Sequence, residues 1–162
     1  MQTHALSDYI CPICSALHGI DDENTWIKPT DLFYRDDLVA GFINAKSIRG
    51  NEGHPIIVPT KHFENVYELP IEYGDRIFRV VQLVAKALKE LRHCDGITTM
   101  QTNEPAGDQH AFHYHHHVFP RFVGDTFHES LWQSYRSTPD ERRGYADDLR
   151  RYFSQLCMGQ DF

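Results

Sequence analysis

The sequence predicts one mixed domain, an antiparallel sheet carrying two amphipathic helices, and three observations predict it. Short runs of strand-forming residues lie between turn signals, a long central stretch switches to helical period, and a capped apolar stripe runs near the C-terminus.

Taken in order, Leu32–Arg35 and Leu38–Ile43 read as two short strands joined at Asp36-Asp37, the first hairpin of the sheet. Pro55–Pro59, with Ile56, Ile57 and Val58 inside it, reads as a third strand. Ile77, Val81, Val84, Leu88 and Leu91 then recur at alternating steps of four and three, while Arg76, Arg79, Gln82, Lys86 and Lys89 fill the opposite side. That spacing predicts a helix over about 70–92 with Pro70 in its first turn. Asp95-Gly96 turns the chain into a strand at Ile97–Thr102. After the Glu104–Asp108 loop, Ala111–Pro120 is expected to return as a strand rich in aromatics and histidine. Thr138-Pro139-Asp140-Glu141 has the pattern of a capping box, Tyr145, Leu149, Tyr152, Phe153 and Leu156 form one apolar face, and Gly159 offers a stop. Both helical stripes are read as core packing, with no chemistry assigned to them.

With 162 residues, 41% hydrophobic, 24% charged, 10 Gly and 8 Pro, the composition excludes a disordered or collagen-like chain and favours one compact unit. Residues 1–125 are expected to form the main body with a Cys-bearing arm, and 126–162 a helical extension of the same domain. The balance of 16 Lys+Arg against 23 Asp+Glu, a formal −7, argues against a surface built to lie along long nucleic acid. A small anionic ligand stays compatible if cations gather locally. The first residues lack the basic and apolar regions of a signal peptide, and no stretch approaches a membrane span, so the expected location is the cytoplasm. In that compartment Cys11, Cys14, Cys94 and Cys157 are expected as metal ligands or buried thiols rather than a disulfide framework.

The 11 His are the compositional oddity. On a strand, alternation would set His113, His115 and His117 on one face and Phe112, Tyr114, His116 and Val118 on the other. Three imidazoles on one face can hold a metal, cooperate in nucleophilic catalysis, or sit exposed to solvent, and the spacing alone leaves all three open.

The run His113-Tyr114-His115-His116-His117-Val118-Phe119-Pro120-Arg121 resembles the signature of the histidine triad (HIT) family of nucleotide hydrolases and transferases. The resemblance extends to Gly41-Phe42-Ile43-Asn44, to the stretch from Gly53-His54-Pro55 to Lys61-His62, to the long helix, to Gln101-Thr102-Asn103-Glu104 and to Ala106-Gly107-Asp108-Gln109, covering roughly residues 11–125. It implies an α+β fold: a curved antiparallel sheet of about five strands per subunit, one long helix packed on it, a C-terminal helix, and a homodimer with a continuous sheet.

The resemblance also implies roles. His115 would attack the α-phosphorus of a nucleoside phosphate through Nε2, a neutral imidazole being a good nucleophile. His117 would orient His115 or donate to the phosphate, His113 would support them, and Gln109 and Asn103 match positions that touch phosphate or leaving group in relatives. Asn44 matches the reader of the ribose hydroxyls, and Phe42 the apolar wall against the base. Two positions depart from the pattern. His110 stands where many relatives carry Ser or Thr and could act as a cationic donor or acid to the leaving group, and His116 fills a slot that is usually apolar. Lys46, Lys61 and Arg121 lie in motif segments and could offset phosphate charge. The Pro120-Arg121 ending resembles the dinucleoside polyphosphate hydrolase branch.

Cys11-Pro12-Ile13-Cys14 has a redox and a metal reading. The redox reading needs a preceding buried strand and a following helix, neither of which the sequence announces. Two thiolates of a tetrahedral zinc site is the favoured alternative. Similarity to bacterial relatives and to galactose-1-phosphate uridylyltransferases implies His62 and His113 as the remaining ligands of a structural zinc, one per chain. Cys94 and Cys157 are expected as small apolar residues. The function expected on these grounds is hydrolysis of a nucleoside polyphosphate or nucleotide conjugate through His115. Nucleotidyl transfer by the same intermediate and a nucleotide-binding adaptor dimer with little turnover are the alternatives.

Overall fold

The structure, a computed structural model, describes residues 3–22 and 25–157, with the side chain of Cys157 excluded; Gly159 as a helix stop and Cys157 as a packing residue lie outside what is described. A five-stranded antiparallel sheet runs β1 (Leu32–Arg35), β2 (Val39–Ile43), β4 (Pro55–Pro59), β6 (His116–Arg121), β5 (Gly96–Met100) in spatial order. Two-residue strands β3 (Lys46–Ser47) and β7 (Tyr135–Arg136) pair separately as a small ribbon. The helices are α1 (Pro12–Leu17), α2 (Ile71–Arg92), α3 (Phe127–Ser130) and α4 (Pro139–Cys157).

The β1–β2 hairpin closes at Asp36, whose carboxylate accepts the N–H groups of Leu38 and Val39 at 2.8 and 2.7 Å, an Asx turn built by the predicted Asp. Helix α2 begins one residue after Pro70, its N-cap. Its stripe of Ile77, Val81, Val84 and Leu88 is buried with Val39, Ile43, Ile57 and Val118 of the sheet, whereas Leu91, at the end of the stripe, is 40% exposed. Helix α4 opens on the predicted box, with Glu141 accepting the Thr138 N–H at 2.6 Å and Thr138 Oγ1 accepting the Glu141 N–H at 3.3 Å. Leu149 and Phe153 then join the α2 side of the core.

A second apolar cluster lies on the other side of the sheet, where Phe42, Ile56 and Val58 meet Ile13, Ala16 and Leu17 of α1. Gly53 links the layers. Its φ is +67°, and a Cβ there would sit 2.3 Å from the Tyr145 ring, so only glycine lets α4 approach the turn before β4.

Two expectations need correction. The strand predicted over Ala111–Pro120 begins only at His116, so Ala111 to His115 reach the sheet as irregular chain. Backbone bonding explains it: His113 N–H turns back to Ala111 O and Tyr114 N–H donates to Phe63 O, which takes these residues out of the ladder. A helix also follows Cys11, although none was expected there; Cys11 is its N-cap and Pro12 opens it.

Candidate active site and metal centre

The irregular approach to β6 gives the three histidines different surroundings. Tyr114 still turns into the α2 side of the core, while the rings of His113, His115 and His117 stay on the opposite side and face different neighbours.

His113 is fully buried and donates from Nε2 to the Pro59 carbonyl at 3.0 Å. That bond fixes its tautomer, leaving the Nδ1 lone pair aimed at Cys14 Sγ (3.4 Å) and Cys11 Sγ (3.5 Å). Cys14 Sγ also lies 3.4 Å from His62 Nδ1, and one ligand atom from each of Cys11, Cys14, His62 and His113 falls within 4.8 Å of the others. A tetrahedral zinc with S and N ligands sets its sulfur–nitrogen separations at about 3.5 Å. The cluster therefore fits a zinc ion in donor type, number and spacing. α1 makes this possible: capping by Cys11 sets Cys14 one turn on, with its N–H 3.3 Å from Cys11 Sγ. Burial first, and the nearby His62 and His115 next, push the His113 imidazole down to about 3, so it is neutral as a ligand must be.

His115 is half-buried, and its Nδ1 donates to the His113 carbonyl at 2.7 Å. The other ring nitrogen, Nε2, keeps its lone pair. Burial, then the charges of His110 and Lys46, lower its pKa below the ordinary histidine value, which keeps that lone pair unprotonated at neutral pH. The His117 ring is 4.9 Å away, centroid to centroid.

Behind His117 lies a residue to which the sequence reading gave no chemistry. His54 is 2% exposed, and its Nε2 lies 3.2 Å from His117 Nδ1 and 2.9 Å from Asn44 Nδ2. Asn44 Oδ1 accepts the Lys46 N–H at 3.2 Å, which directs the Asn44 NH2 at His54. His54 Nε2 is therefore an acceptor, and His117 donates to it through Nδ1. Burial, with His115 and Arg92 nearby, drives His54 down to about 3. Its position in the Gly53-His54-Pro55 segment was the one sequence signal that could have marked it.

The other candidates are placed around this centre. Gln109 is buried, with Oε1 accepting the Glu104 N–H (2.7 Å) and Nε2 donating to the carbonyls of Glu64 (2.6 Å) and Ala111 (3.1 Å). Asn103 Oδ1 accepts the Val66 N–H at 2.8 Å, and its Nδ2 donates to Gln101 at 2.8 Å. Both amides hold the loop before the triad. His110 is exposed, and its charge reaches His115. Phe42, only 1% exposed, lies inside the apolar cluster. Arg121 pairs with Asp125 at 2.7 Å and lies over the Phe127 ring, so its charge is already matched. His116 points away from His115, with Tyr114 OH 3.5 Å from its Nδ1.

Comparison with known proteins finds relatives in sequence and in fold. The family model described as HIT domain matches residues 27–124. "Protein hit" of Bacillus subtilis is 32% identical over 108 residues, 66% of this chain and 72% of that one. A bis(5'-adenosyl)-triphosphatase of Saccharomyces cerevisiae is 28% identical over 105 residues, 62% of this chain and 50% of its own. The crystal structure of a Zn-bound histidine triad family protein from Mycobacterium smegmatis superimposes with a TM-score of 0.73 at 26% identity, covering 93% of this chain and 97% of that one. Among the described residues no helix is long and apolar enough to cross a membrane.

Proposed function

The chain belongs to the HIT domain family, and on that premise we propose that it is a nucleotide hydrolase acting on a nucleoside polyphosphate, diadenosine polyphosphates included, through a nucleotidyl-histidine at His115. The observation that carries the reading is the tautomer of His115: with Nδ1–H tied to the His113 carbonyl, Nε2 is the nucleophile.

Nε2 forms a bond to the α-phosphorus as the bond from phosphorus to the leaving-group oxygen breaks, and the leaving group departs with the electron pair. His110, exposed to solvent, supplies a proton to it when protonated. Water then bonds to phosphorus as the phosphorus–nitrogen bond breaks, its proton passes to the His110 that gave one up in the first step, and a nucleoside monophosphate is released with His115 restored. Because such transfers depend chiefly on positioning, the fixed rings of His115 and His117 are the protein's main contribution. Asn44, half-buried beside His54, is assigned to the ribose. Phe42 supports the base side from beneath rather than as an open wall. The relative named as a bis(5'-adenosyl)-triphosphatase supports this substrate class.

Cys11, Cys14, His62 and His113 would hold a structural zinc. With four protein ligands it leaves no open position, so the ion supplies rigidity, pinning α1 beside His113. A homodimer and a cytoplasmic setting belong to the same reading. Intact mass spectrometry during turnover of diadenosine tetraphosphate tests it. An adduct of one adenosine monophosphate, absent in His115→Asn, is expected; turnover that survives His115→Asn refutes the mechanism, and no turnover or adduct with any nucleotide leaves the adaptor reading.

A further inference from the structure

The ribbon of β3 and β7 brings the C-terminal extension against Lys46, two residues after Asn44. Lys46 and Arg136 are register partners across it, as are Ser47 and Tyr135. Directly opposed residues share a face, and neighbours along each strand take the other. Ser47 and Tyr135 accordingly line a cavity against α4 together with Glu52 and Glu141. Lys46 and Arg136 are thereby turned away from those two carboxylates.

Two like charges placed directly opposite across a ribbon destabilise it. Neither cation is relieved by an acid, since among the described residues no carboxylate pairs with Lys46 or Arg136. Arg136 is instead held by an aromatic face, its guanidinium 4.7 Å from the centroid of the partly exposed Trp26 ring. Lys46 is placed by the catalytic framework, since its N–H is bonded to Asn44 Oδ1 and Asn44 Nδ2 reaches His54. The same chain of bonds continues from His54 to His117 at 3.2 Å, and the His117 ring lies 4.9 Å from that of His115.

We propose that Lys46 and Arg136 form an anion clamp, a subsite beside His115 for the phosphates beyond the scissile bond, half of it supplied by the extension. A polyphosphate chain is its ligand, since a run of linked anions can lie between two cations that no protein group neutralises. The clamp rests on the polyphosphate hydrolase reading and makes the charge of the leaving group the quantity that is selected.

Binding and turnover test it separately. Titration calorimetry with inorganic tripolyphosphate on the whole protein is expected to show binding that weakens about tenfold in Arg136→Ala and recovers in part in Arg136→Lys, the loss of one charged contact being worth about that factor. Kinetically, kcat/KM for diadenosine tetraphosphate relative to an adenosine phosphoramidate, whose leaving group carries no phosphate, is expected to fall about tenfold in Arg136→Ala. Equal tripolyphosphate binding by the two proteins, or an unchanged ratio, overturns the clamp. If the wild-type protein turns over neither nucleotide, the hydrolase reading fails on its own, and the calorimetric comparison still decides whether the clamp exists.

Discussion

His115 Nδ1 stands 2.7 Å from the main-chain oxygen of His113, the residue whose own ring closes the Cys11, Cys14, His62 cluster. The proposed nucleophile is thus oriented by the backbone of a proposed metal ligand. Whatever fixes His113 fixes the tautomer of His115, so that the Cys/His cluster and the His115 ring are joined through the His113 carbonyl.

Loss of the metal is therefore expected to reach both stability and activity. Elemental analysis should find about one zinc per chain in the wild-type protein and a small fraction of that in Cys14→Ser. Removing zinc from protein held with free ion about a hundredfold above its dissociation constant should cost about 3 kcal/mol in denaturant unfolding. Wild-type protein that is metal-free and no less stable would rule out the site.

For Gln109, the structure separates two roles that sequence similarity merges. Both ends of its amide are engaged by the main chain of Glu104, Glu64 and Ala111. In Gln109→Glu a carboxylate would face two carbonyls in place of an NH2 group. A loss of about 2 kcal/mol or more in the ligand-free protein is expected from the unpaired buried groups. A residue kept only to touch phosphate would leave ligand-free stability unchanged, so denaturant unfolding without nucleotide decides between the roles.

Acid sensitivity follows from His54. Its pKa in the folded protein is about 3, against about 6.5 when unfolded. Below 6.5 the unfolded chain takes up a proton that the folded one refuses, so stability is complete above 6.5 and falls with pH down to about 3. Between pH 7 and pH 5 this one residue should withdraw about 2 kcal/mol. Protonation would also place an N–H on Nε2, where Asn44 and His117 already direct theirs. The decline measured for wild type should exceed that for His54→Gln by this amount, and parallel curves would refute the assignment.

How far these features could be read from sequence depends on how local they are. The β1–β2 hairpin, α2 and the α4 capping box are written in adjacent residues, and each appears within a residue or two of its expected place. The grouping of Cys11, Cys14, His62 and His113 was reachable because Cys-x-x-Cys is local and the motif resemblance supplied the two histidines, and the structure brings the four within 4.8 Å. The period-two spacing suggested a strand for Ala111–Pro120, but contacts to Phe63 and within the segment itself compete with the ladder there. Sequence alone could not weigh them. The β3–β7 ribbon is only two residues per strand, too short to show a period, and the pairing of Asp31 with Arg142 spans 111 residues.

That pair carries the last prediction. Arg142 is 1% exposed and Asp31 0%, joined by Nε to Oδ1 at 2.9 Å and by Nη2 to Oδ2 at 2.8 Å. Arg142 also donates to the carbonyls of Ser137 and Trp26, so one side chain ties α4, the β7 segment and the chain before β1 together. Asp31→Asn keeps the shape and leaves a buried guanidinium without its counter-charge, which should cost about 3–5 kcal/mol. Because β7 and Trp26 are both anchored by Arg142, the same change should loosen Arg136 and weaken tripolyphosphate binding even under conditions where the variant remains folded. Calorimetry at low temperature, with circular dichroism confirming the fold, measures that second effect. Undiminished tripolyphosphate affinity in folded Asp31→Asn would show that the clamp does not depend on this anchor.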